Sequence, residues 1–492
     1  MLGKSYTEEA PVANGSNKET QEDDENFATK ASVLRLTLIG IIVITPAITP
    51  GMAMSYSSIA VRQLPFDLYQ SSWFASIMSL ATPFGNLFTG FLLDRYGRRK
   101  SLILSVLPSI FGWFLLSLYH VPISTLYLGR FLTGFALGAA SLPSTVYLTE
   151  SITINHLHLR GSLSTWTTLA LSTGTMLTYA FGAMVPCREV AAIGGVLSII
   201  SLVLILVFIP ESPVWLYRQG RIGDALVAES QLGISQPILK AKQVRKASVT
   251  ESVHHLETEF SLRSFVDYAK KIQRKEVYKP LIITISFLFF LQFSGVYALS
   301  SYMVDILEVR SMKFNPYILA VVSGAVQCIG VVSITFIIPF TGVKKLALLS
   351  SSGVALGMLG LGTSILLASK SPLGQLVDIM HVLSVWFTIL SASFGFIVIP
   401  FSILGEMFPM GAKSYASLSL IASSTFNFII LKIHPLMFAY YGPLVYYVYA
   451  VVTFSGVIFV ALFLPETHGK TLDEIKNRFR YSTDLLNENE EA

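Results

Sequence analysis

Charge is scarce in this sequence. Only 13% of its 492 residues are Asp, Glu, Lys or Arg, whereas 52% are hydrophobic and the mean hydropathy is +0.61. Soluble proteins carry about 25% charged residues, so a soluble chain of this length would lack the charge that its surface needs. The composition excludes a soluble enzyme, a nucleic-acid-binding protein and a disordered scaffold, and it predicts a membrane protein.

Cysteine is scarcer still. Cys187 and Cys328 are the only two, so a disulfide framework is excluded. The sequence contains no nucleotide-binding loop, catalytic triad or metal-ligand spacing, and its histidines are scattered. We therefore predict that the protein is not an enzyme and that it carries no cofactor and no metal.

The first 32 residues are polar and contain seven acidic residues against three lysines. They lack the basic start and apolar core of a secretory signal. A segment of this composition cannot bury enough apolar surface to fold alone, so residues 1–32 are predicted to be a disordered cytoplasmic tail.

Long apolar runs follow, each close to the ~20 residues that a helix needs to cross a bilayer. Twelve are predicted, at about 34–56, 71–93, 101–120, 122–149, 162–184, 190–209, 280–304, 316–340, 346–368, 379–404, 415–437 and 441–464. The predicted fold is an all-α membrane protein of twelve transmembrane helices in two six-helix halves, residues 33–209 and 280–464. A cytoplasmic linker loop at 210–279 joins the halves, and 465–492 form a second cytoplasmic tail.

The placement of the basic residues predicts the orientation. With the first tail inside, 28 of the 35 Lys and Arg residues are cytoplasmic, five lie in opposite loops, and Arg130 and Lys432 fall within spans. Because an excess of Lys and Arg marks cytoplasmic loops, both termini are predicted inside. The basic residues therefore reflect topology, and no nucleic-acid partner is expected.

The two halves also carry matching sequence features. Arg98-Arg99, Glu150 and Pro210-Glu211 in the first half recur as Lys344-Lys345, Glu406 and Pro465-Glu466 in the second half, at similar intervals. Duplicated halves around a central cavity are typical of secondary transporters, which bind substrate near the membrane midplane. This repeat favours transport by alternating access.

Charged residues at the predicted cytoplasmic edge are candidates for gating. The candidate cluster consists of Asp94, Arg98, Arg99, Glu150, Arg160, Glu406 and Lys413. Ion pairs among these residues would latch the two halves on the inside while the cavity faces out, and would break in each cycle. The alternative is that the basic residues only anchor the chain on the cytoplasmic side.

Seven motifs together resemble a known family. They are Asp94-Arg95-Tyr96-Gly97-Arg98-Arg99, Gly129-Arg130-Phe131, Arg160-Gly161, Pro210-Glu211-Ser212-Pro213, Gln292-Phe293-Ser294-Gly295, Gly405-Glu406-Met407-Phe408-Pro409 and Pro465-Glu466-Thr467-His468-Gly469. In this order they resemble the signatures of the sugar porter family of the major facilitator superfamily, over about residues 33–475. The short first external loop and the ending resemble insect facilitated trehalose transporters most.

Several positions depart from the family pattern. The second copy of the Asp-Arg-x-Gly-Arg-Arg motif reads Phe340-Thr341-Gly342-Val343-Lys344-Lys345, and its acid and aligned glycine are interpreted as missing. Lys413 replaces an arginine and so loses bidentate pairing. We therefore expect a weaker latch in the second half.

The resemblance also implies a sugar site in the cavity. Gln292 and Asn427 match family amides, Phe401 takes the place of a stacking Trp, and Thr168 and Tyr297 keep hydrogen-bonding groups where the family has amides. Uncharged polar groups suit a neutral ligand. The alternatives are an interhelical hydrogen bond for Gln292 and packing or lipid contact for Phe401.

Gly295 is expected to loosen the seventh helix and let it bend as an outer gate. Arg130, inside the fourth span, is interpreted as a structural residue paired within the helix bundle. Proton-coupled members of the family carry an acid in the first helix, and residues 44–51 have none. Asp305 and Glu308 are interpreted as a solvated cap, so no buried carboxylate is expected as a proton carrier.

These predictions combine into a facilitative uniporter of the plasma membrane, for trehalose or a hexose. The expected partners are a small neutral solute and the bilayer, and the oligomeric state is left open. Because the amide set is depleted, a carrier of another small neutral or organic solute remains an alternative. A solute sensor that does not transport is a third hypothesis.

Overall fold

A computed structural model of the protein describes residues 16–152, 160–232, 275–308, 314–368, 374–407 and 413–466. Within these ranges the regular structure is entirely helical. We number the twelve long helices of the bundle helix 1 to helix 12. Their bounds are Ser16–Gln63, Leu68–Tyr96, Arg98–Ser117, Ile123–Ile152, Arg160–Gly182, Cys187–Phe208, then helix 7 in three pieces (Lys275–Phe293, Val296–Ser301, Met303–Ile306), Pro316–Thr341, Val343–Ala368, helix 10 in three pieces (Gly374–Ser391, Ala392–Phe396, Ile399–Met407), Lys413–Tyr441 and Leu444–Phe463.

Ten of these helices are long and apolar enough to cross a membrane. Helix 5, which is rich in Ser and Thr, and the broken helix 7 complete the twelve. Large apolar side chains ring the outside of the bundle, including Phe340, Leu462 and Phe336, which are 89%, 70% and 69% exposed. An outer surface of this kind suits lipid, and the predicted all-α, twelve-helix fold class is confirmed.

Helix 1 differs from the prediction at its start. It begins at Ser16 and continues without interruption into the span, so residues 16–32 are helical and were wrongly predicted to be disordered. Glu, Gln, Lys and Ala are good helix formers, and this stretch has no Pro or Gly, so the membrane helix can extend through it. Residues 1–15, most of the linker loop and the tail from 467 lie outside the described ranges.

Helix packing repeats between the two halves. In the first half helix 1 packs on helix 5, helix 2 on helix 4, and helix 3 on helices 4 and 6. In the second half helix 7 packs on helix 11, helix 8 on helix 10, and helix 9 on helices 10 and 12. Each pair in the second half is therefore the first-half pair moved on by six helices, as a duplicated chain requires. Between the halves, helix 5 packs on helix 8 and helix 2 on helix 11.

Close packing of helices 2 and 4 depends on two glycines. A Cβ atom at Gly134 would lie 2.1 Å from the Met78 carbonyl oxygen, and one at Gly138 would lie 2.1 Å from that of Thr82. Small residues of this kind let membrane helices approach backbone to backbone.

Two helices of the second half are interrupted. Helix 7 stops at Phe293 and resumes at Val296, with Gly295 in the left-handed region at φ +82°. Helix 10 contains a π-helical turn at Ala392–Phe396. The predicted loosening of the helix at Gly295 is confirmed, and its role as a gate stays a prediction. Discontinuous helices are where transporters of this architecture place their substrate sites.

Arg130 joins three helices inside the first half. Its side chain is 1% exposed and donates to the Ala53 carbonyl (2.6 Å), the Phe74 carbonyl (3.1 Å) and the Ser57 hydroxyl (2.9 Å). The guanidinium also lies 5.2 Å from the centroid of the Phe74 ring. The interpretation of Arg130 as a structural residue is therefore confirmed.

The bundle has two chemically different ends. We call the end where helix 2 meets helix 3, at Gly97, the basic end, because Arg98 and Arg99 begin helix 3 there. We call the end where helix 1 ends at Gln63 and helix 2 begins at Leu68 the opposite end.

Candidate functional site

The basic end of the first half is held by a buried ion pair. Arg98 donates through Nε to Glu150 Oε2 (2.7 Å) and through NH2 to Glu150 Oε1 (2.5 Å), and the two side chains are 6% and 13% exposed. Ser212 donates a further hydrogen bond to Glu150 (2.6 Å). A bidentate arginine–carboxylate pair of this geometry is strong and directional. It fixes helix 3 to helix 4 and to the segment that follows helix 6.

Glu211 provides a second connection at the same place. Its carboxylate accepts the backbone N–H groups of Arg98 (2.7 Å), Arg99 (3.0 Å) and Ser212 (3.0 Å). The first N–H groups of a helix have no partner within the helix, and a negative charge there also suits the helix dipole. The Arg99 side chain donates to the Leu206 carbonyl (2.8 Å), so it also stays within the first half.

The second half repeats the carboxylate cap. Glu466 accepts the backbone N–H groups of Val343 (2.9 Å) and Lys344 (3.1 Å) at the start of helix 9. Gly342 precedes that helix at φ +79°, as Gly97 precedes helix 3 at φ +91°. The carboxylates of Glu211 and Glu466 also lie against these two glycines.

This geometry corrects the alignment of the repeat. The aligned glycine of the second copy is present, as Gly342, and the residue that corresponds to Arg98 is Val343, not Lys344. Arg98 and Val343 are both first in their helix and both 5% exposed. The second half therefore has an apolar side chain where the first half has its buried arginine.

The remaining gating candidates cannot all be placed. The side chains of Asp94, Arg160, Glu406 and Lys413 lie outside the described part of the structure. The ion pair that is described, between Arg98 and Glu150, lies within one half. Latching of the two halves at the basic end therefore stays a prediction that concerns the other four residues.

One predicted cavity residue, Gln292, contacts helix 11, which carries another, Asn427. Gln292, directly before the break in helix 7, is 3% exposed, and its Nε2 donates to the Ser423 hydroxyl (2.8 Å). Asn427 is four residues further along the same helix, on the same face as Ser423. The buried Oε1 of Gln292 and Oδ1 of Asn427 both lack a hydrogen-bond partner in the structure. A buried acceptor without a partner costs about 1–3 kcal/mol, so these two atoms are favourable places for a donor from a ligand.

The other three predicted cavity residues lie apart from this pair. Thr168 is half-buried in helix 5, Tyr297 is half-buried and packs against the core of the second half, and Phe401 is 39% exposed in the last piece of helix 10. The structure records no hydrogen bond from Thr168 or Tyr297 to Gln292 or Asn427, all of which are described. Sequence reasoning missed Ser423, which is an ordinary helix serine with no motif around it.

The opposite end contains contacts that the sequence did not predict. Arg62, at the end of helix 1, pairs with Glu308 (2.8 Å) and lies 3.6 Å from Asp305. Asp305 and Glu308 are exposed, but they are paired with the other half and do not act only as a solvated cap.

Lys432 makes a second contact between the halves there. From helix 11 its ammonium donates to the Ser72 hydroxyl (2.9 Å) on helix 2. The same nitrogen lies 4.1 Å from the Tyr69 ring centroid and 4.0 Å from that of Trp73.

A buried carboxylate in a membrane-spanning helix was also missed. Asp378, in the first piece of helix 10, is 4% exposed, so the expectation of no buried carboxylate is wrong. The signal was the aspartate itself, which lies one residue before the predicted span. His381, three residues on, is 7% exposed and lies within hydrogen-bonding distance of the Ile306 carbonyl (2.7 Å) and the Ser364 hydroxyl (3.1 Å).

Comparison with known proteins decides the family. The model of the Sugar (and other) transporter family matches residues 11–479, nearly the whole chain. The chain belongs to this family. It is 28% identical to "Sugar transporter ERD6-like 6" of Arabidopsis thaliana, over 95% of this chain and 94% of that one. It is 27% identical to "Facilitated trehalose transporter Tret1" of Apis mellifera ligustica, over 87% and 83%.

Two further comparisons agree with this family. The chain is 29% identical to the facilitated glucose transporter member 8 of Bos taurus, over 87% of this chain and 91% of that one. Its fold is similar to the inward-open structure of the xylose transporter XylE from E. coli, with a TM-score of 0.71 at 19% identity, over 90% and 99%. The predicted sugar porter membership and the major facilitator fold are both confirmed, and the protein is a multi-pass membrane protein.

Proposed function

We propose that this member of the family is a facilitative uniporter that moves a neutral sugar, trehalose or a hexose, across the plasma membrane by alternating access. The names of its relatives in bee and cattle, a facilitated trehalose transporter and a facilitated glucose transporter, support the substrate class. The repeated halves and the discontinuous helices 7 and 10 support a cavity between the halves.

The observation that carries the proposal is the pair of unpartnered acceptors. Gln292 Oε1 and Asn427 Oδ1 are uncharged and buried, and Gln292 lies directly before the break in helix 7. Sugar hydroxyls donate to such oxygens, whereas an anionic solute would be repelled by them. In this proposal Thr168 and Tyr297 add hydrogen-bonding groups, and Phe401 gives an aromatic face for the C–H surface of the sugar.

We place the basic end in the cytoplasm, with both termini on that side, because Lys and Arg concentrate there. The proposed inner latch uses Asp94, Arg160, Glu406 and Lys413 to connect the halves. Arg98, Arg99 and Glu150 hold the first half rigid so that the latch can act on it as one body.

Uptake into liposomes containing the purified protein tests this function. Radiolabelled trehalose, glucose and other mono- and disaccharides would be offered in turn, with a non-sugar organic solute in parallel. Saturable uptake of at least one sugar, inhibited by its analogues, is expected. If no sugar is taken up or competes, while the other solute is transported, the sugar assignment is wrong and the alternative cargo takes its place.

Gln292→Ala tests the site itself. Loss of a buried hydrogen-bonding amide costs about 1–3 kcal/mol, so the concentration for half-maximal uptake should rise about tenfold with the maximal rate less affected. Gln375→Ala is the matched control, since Gln375 is an exposed glutamine in helix 10. Equal effects of the two substitutions would remove Gln292 from the site.

Proton-coupled transport is a second candidate, and Asp378 favours it. A buried carboxylate in a membrane helix is costly and is commonly functional, and Asp378 lies three residues before the buried His381. An imposed pH gradient separates the two candidates. A uniporter only equilibrates the sugar, whatever the pH gradient, and the Asp378→Asn variant should behave in the same way. A symporter accumulates the sugar against the sugar's own concentration gradient, and Asp378→Asn should abolish that accumulation.

A further inference from the structure

Lys432 carries an ammonium group that lies between the two halves of the bundle. It lies in helix 11, two turns before that helix ends at Tyr441, and it reaches helix 2 of the other half. Two aromatic rings and one hydroxyl surround the ammonium, and they are Tyr69, Trp73 and Ser72. The described structure gives Lys432 no carboxylate within ion-pairing distance.

This environment makes the contact specific to one arrangement of the halves. A lysine inside a membrane span is unfavourable unless it is paired or reaches water, and here the electron-rich faces of two rings take the place of a counter-ion. The rings belong to the first half and the ammonium to the second. Moving the ends of helices 2 and 11 apart therefore removes the groups that stabilise the charge.

A second, more exposed contact lies at the same end. Arg62 of the first half pairs with Glu308 and Asp305 of the second half, just after the break in helix 7. All three side chains reach solvent, so this ion pair is weak and sensitive to salt. The Tyr179 hydroxyl donates to the Ser300 carbonyl (2.8 Å) and also crosses between the halves. The opposite end is thus closed in this structure, and alternating access requires that it open.

We propose that Lys432 is a gating residue: its ammonium, held between Tyr69, Trp73 and Ser72, keeps the external end closed and sets how often the cavity opens to the outside. The inference rests on the proposed function for the external position of this end. The proposal predicts that two contacts of unequal strength keep this end closed. The ring-bound ammonium gives most of the closing free energy, and the Arg62 ion pair gives a smaller part that salt removes.

Labelling of a cysteine at the closed opposite end tests the proposal without any substrate. The reporter is Ser300→Cys in a chain that also carries Cys187→Ser and Cys328→Ser, and the probe is a membrane-impermeant maleimide added outside intact cells. Lys432→Met keeps a long unbranched side chain, one atom shorter, and removes its charge. It should raise the labelling rate about tenfold, which corresponds to about 1.4 kcal/mol of lost closure. Lys432→Arg keeps a cation over the rings and should label within about twofold of the parent.

Two further variants separate gating from general loosening. Trp73→Leu removes a ring and leaves the lysine, so it should speed labelling, and the double variant with Lys432→Met should label no faster than the faster single variant. Arg62→Gln should speed labelling less than Lys432→Met, and the parent in 1 M NaCl should match Arg62→Gln.

Either of two results would overturn the proposal: labelling of Lys432→Met at the parent rate, or labelling of Lys432→Arg as fast as Lys432→Met. If a Lys432 variant does not elute as a single species in detergent, the test uses Trp73→Leu alone. Labelling of Trp73→Leu at the parent rate would then overturn the proposal. Failure of the proposed sugar transport would appear in the uptake assay and leave these labelling rates unchanged, so the two outcomes are distinguishable.

Discussion

The basic ends of the two halves share a backbone design and differ in their buried side chains. Each has a left-handed glycine, a helix that starts directly after it, and a glutamate from the end of the half that caps that helix. Among the described residues, only the first half adds a buried arginine paired with a glutamate, whereas the second half has Val343 at the equivalent position. The glutamate cap is therefore what the turn between two adjoining helices requires. The buried arginine–glutamate pair is not required, because the second half has a valine in place of the arginine.

The largest effect should come from making the first half resemble the second. Arg98→Val leaves Glu150 buried without its cation, and removal of one partner of a buried pair costs about 3–5 kcal/mol. Thermal unfolding in detergent would measure the loss of stability. Adding Glu150→Gln removes the uncompensated charge, and the double variant should recover more than half of the loss. If the double variant is less stable than Arg98→Val, the pair is not what stabilises this end.

The glycines should give an intermediate effect that is equal in the two halves. Gly97→Ala and Gly342→Ala force a Cβ into a backbone region that suits only glycine, at about 1–3 kcal/mol each. The new atom would also lie 2.7 Å from Glu211 and 3.0 Å from Glu466. Gly90→Ala is the control, because nothing lies within 4 Å of its added Cβ and alanine favours a helix. Thermal unfolding that showed a loss at Gly97 alone would contradict the repeat equivalence.

The smallest effect should come from the capping glutamates, and it should differ between the halves. Glu211 accepts all three of its backbone hydrogen bonds on one oxygen, whereas Glu466 uses both oxygens. A glutamine keeps one acceptor and replaces the other with a donor. Glu466→Gln should therefore cost about 1 kcal/mol and Glu211→Gln about half of that. The same unfolding measurement would refute this reasoning if Glu211→Gln were the more damaging change.

The sequence was a good guide wherever a property is local. Hydropathy placed the twelve helices, and the permissive backbone of Gly295 predicted the loosening of helix 7. The repeat was recognised by its pairs of basic residues, and matching those pairs shifted the alignment of the second copy by one residue. Lys344-Lys345 resembles Arg98-Arg99 in charge, but the backbone aligns Gly342 with Gly97.

Contacts between distant segments were beyond sequence reasoning. Lys432 and Ser72 are 360 residues apart, and neither belongs to a motif that names the other. The partner of Gln292 is a serine among many in helix 11. The helix from Ser16 was missed because its polar composition suggests disorder, whereas its continuity with a membrane helix supports helical structure.

Arg130 has a consequence for how the chain is made. An arginine inside a span raises the free energy of membrane insertion, by about 2.5–3.5 kcal/mol at the centre of the span. Arg130 is the eighth residue of helix 4 and donates its hydrogen bonds to helices 1 and 2. Both helices precede it in the chain, so they have already left the ribosome when helix 4 reaches the membrane. The hydrogen-bond acceptors on helices 1 and 2 are therefore in place before the Arg130 guanidinium enters the membrane. If the chain were rearranged so that helix 4 preceded helices 1 and 2, helix 4 would insert poorly.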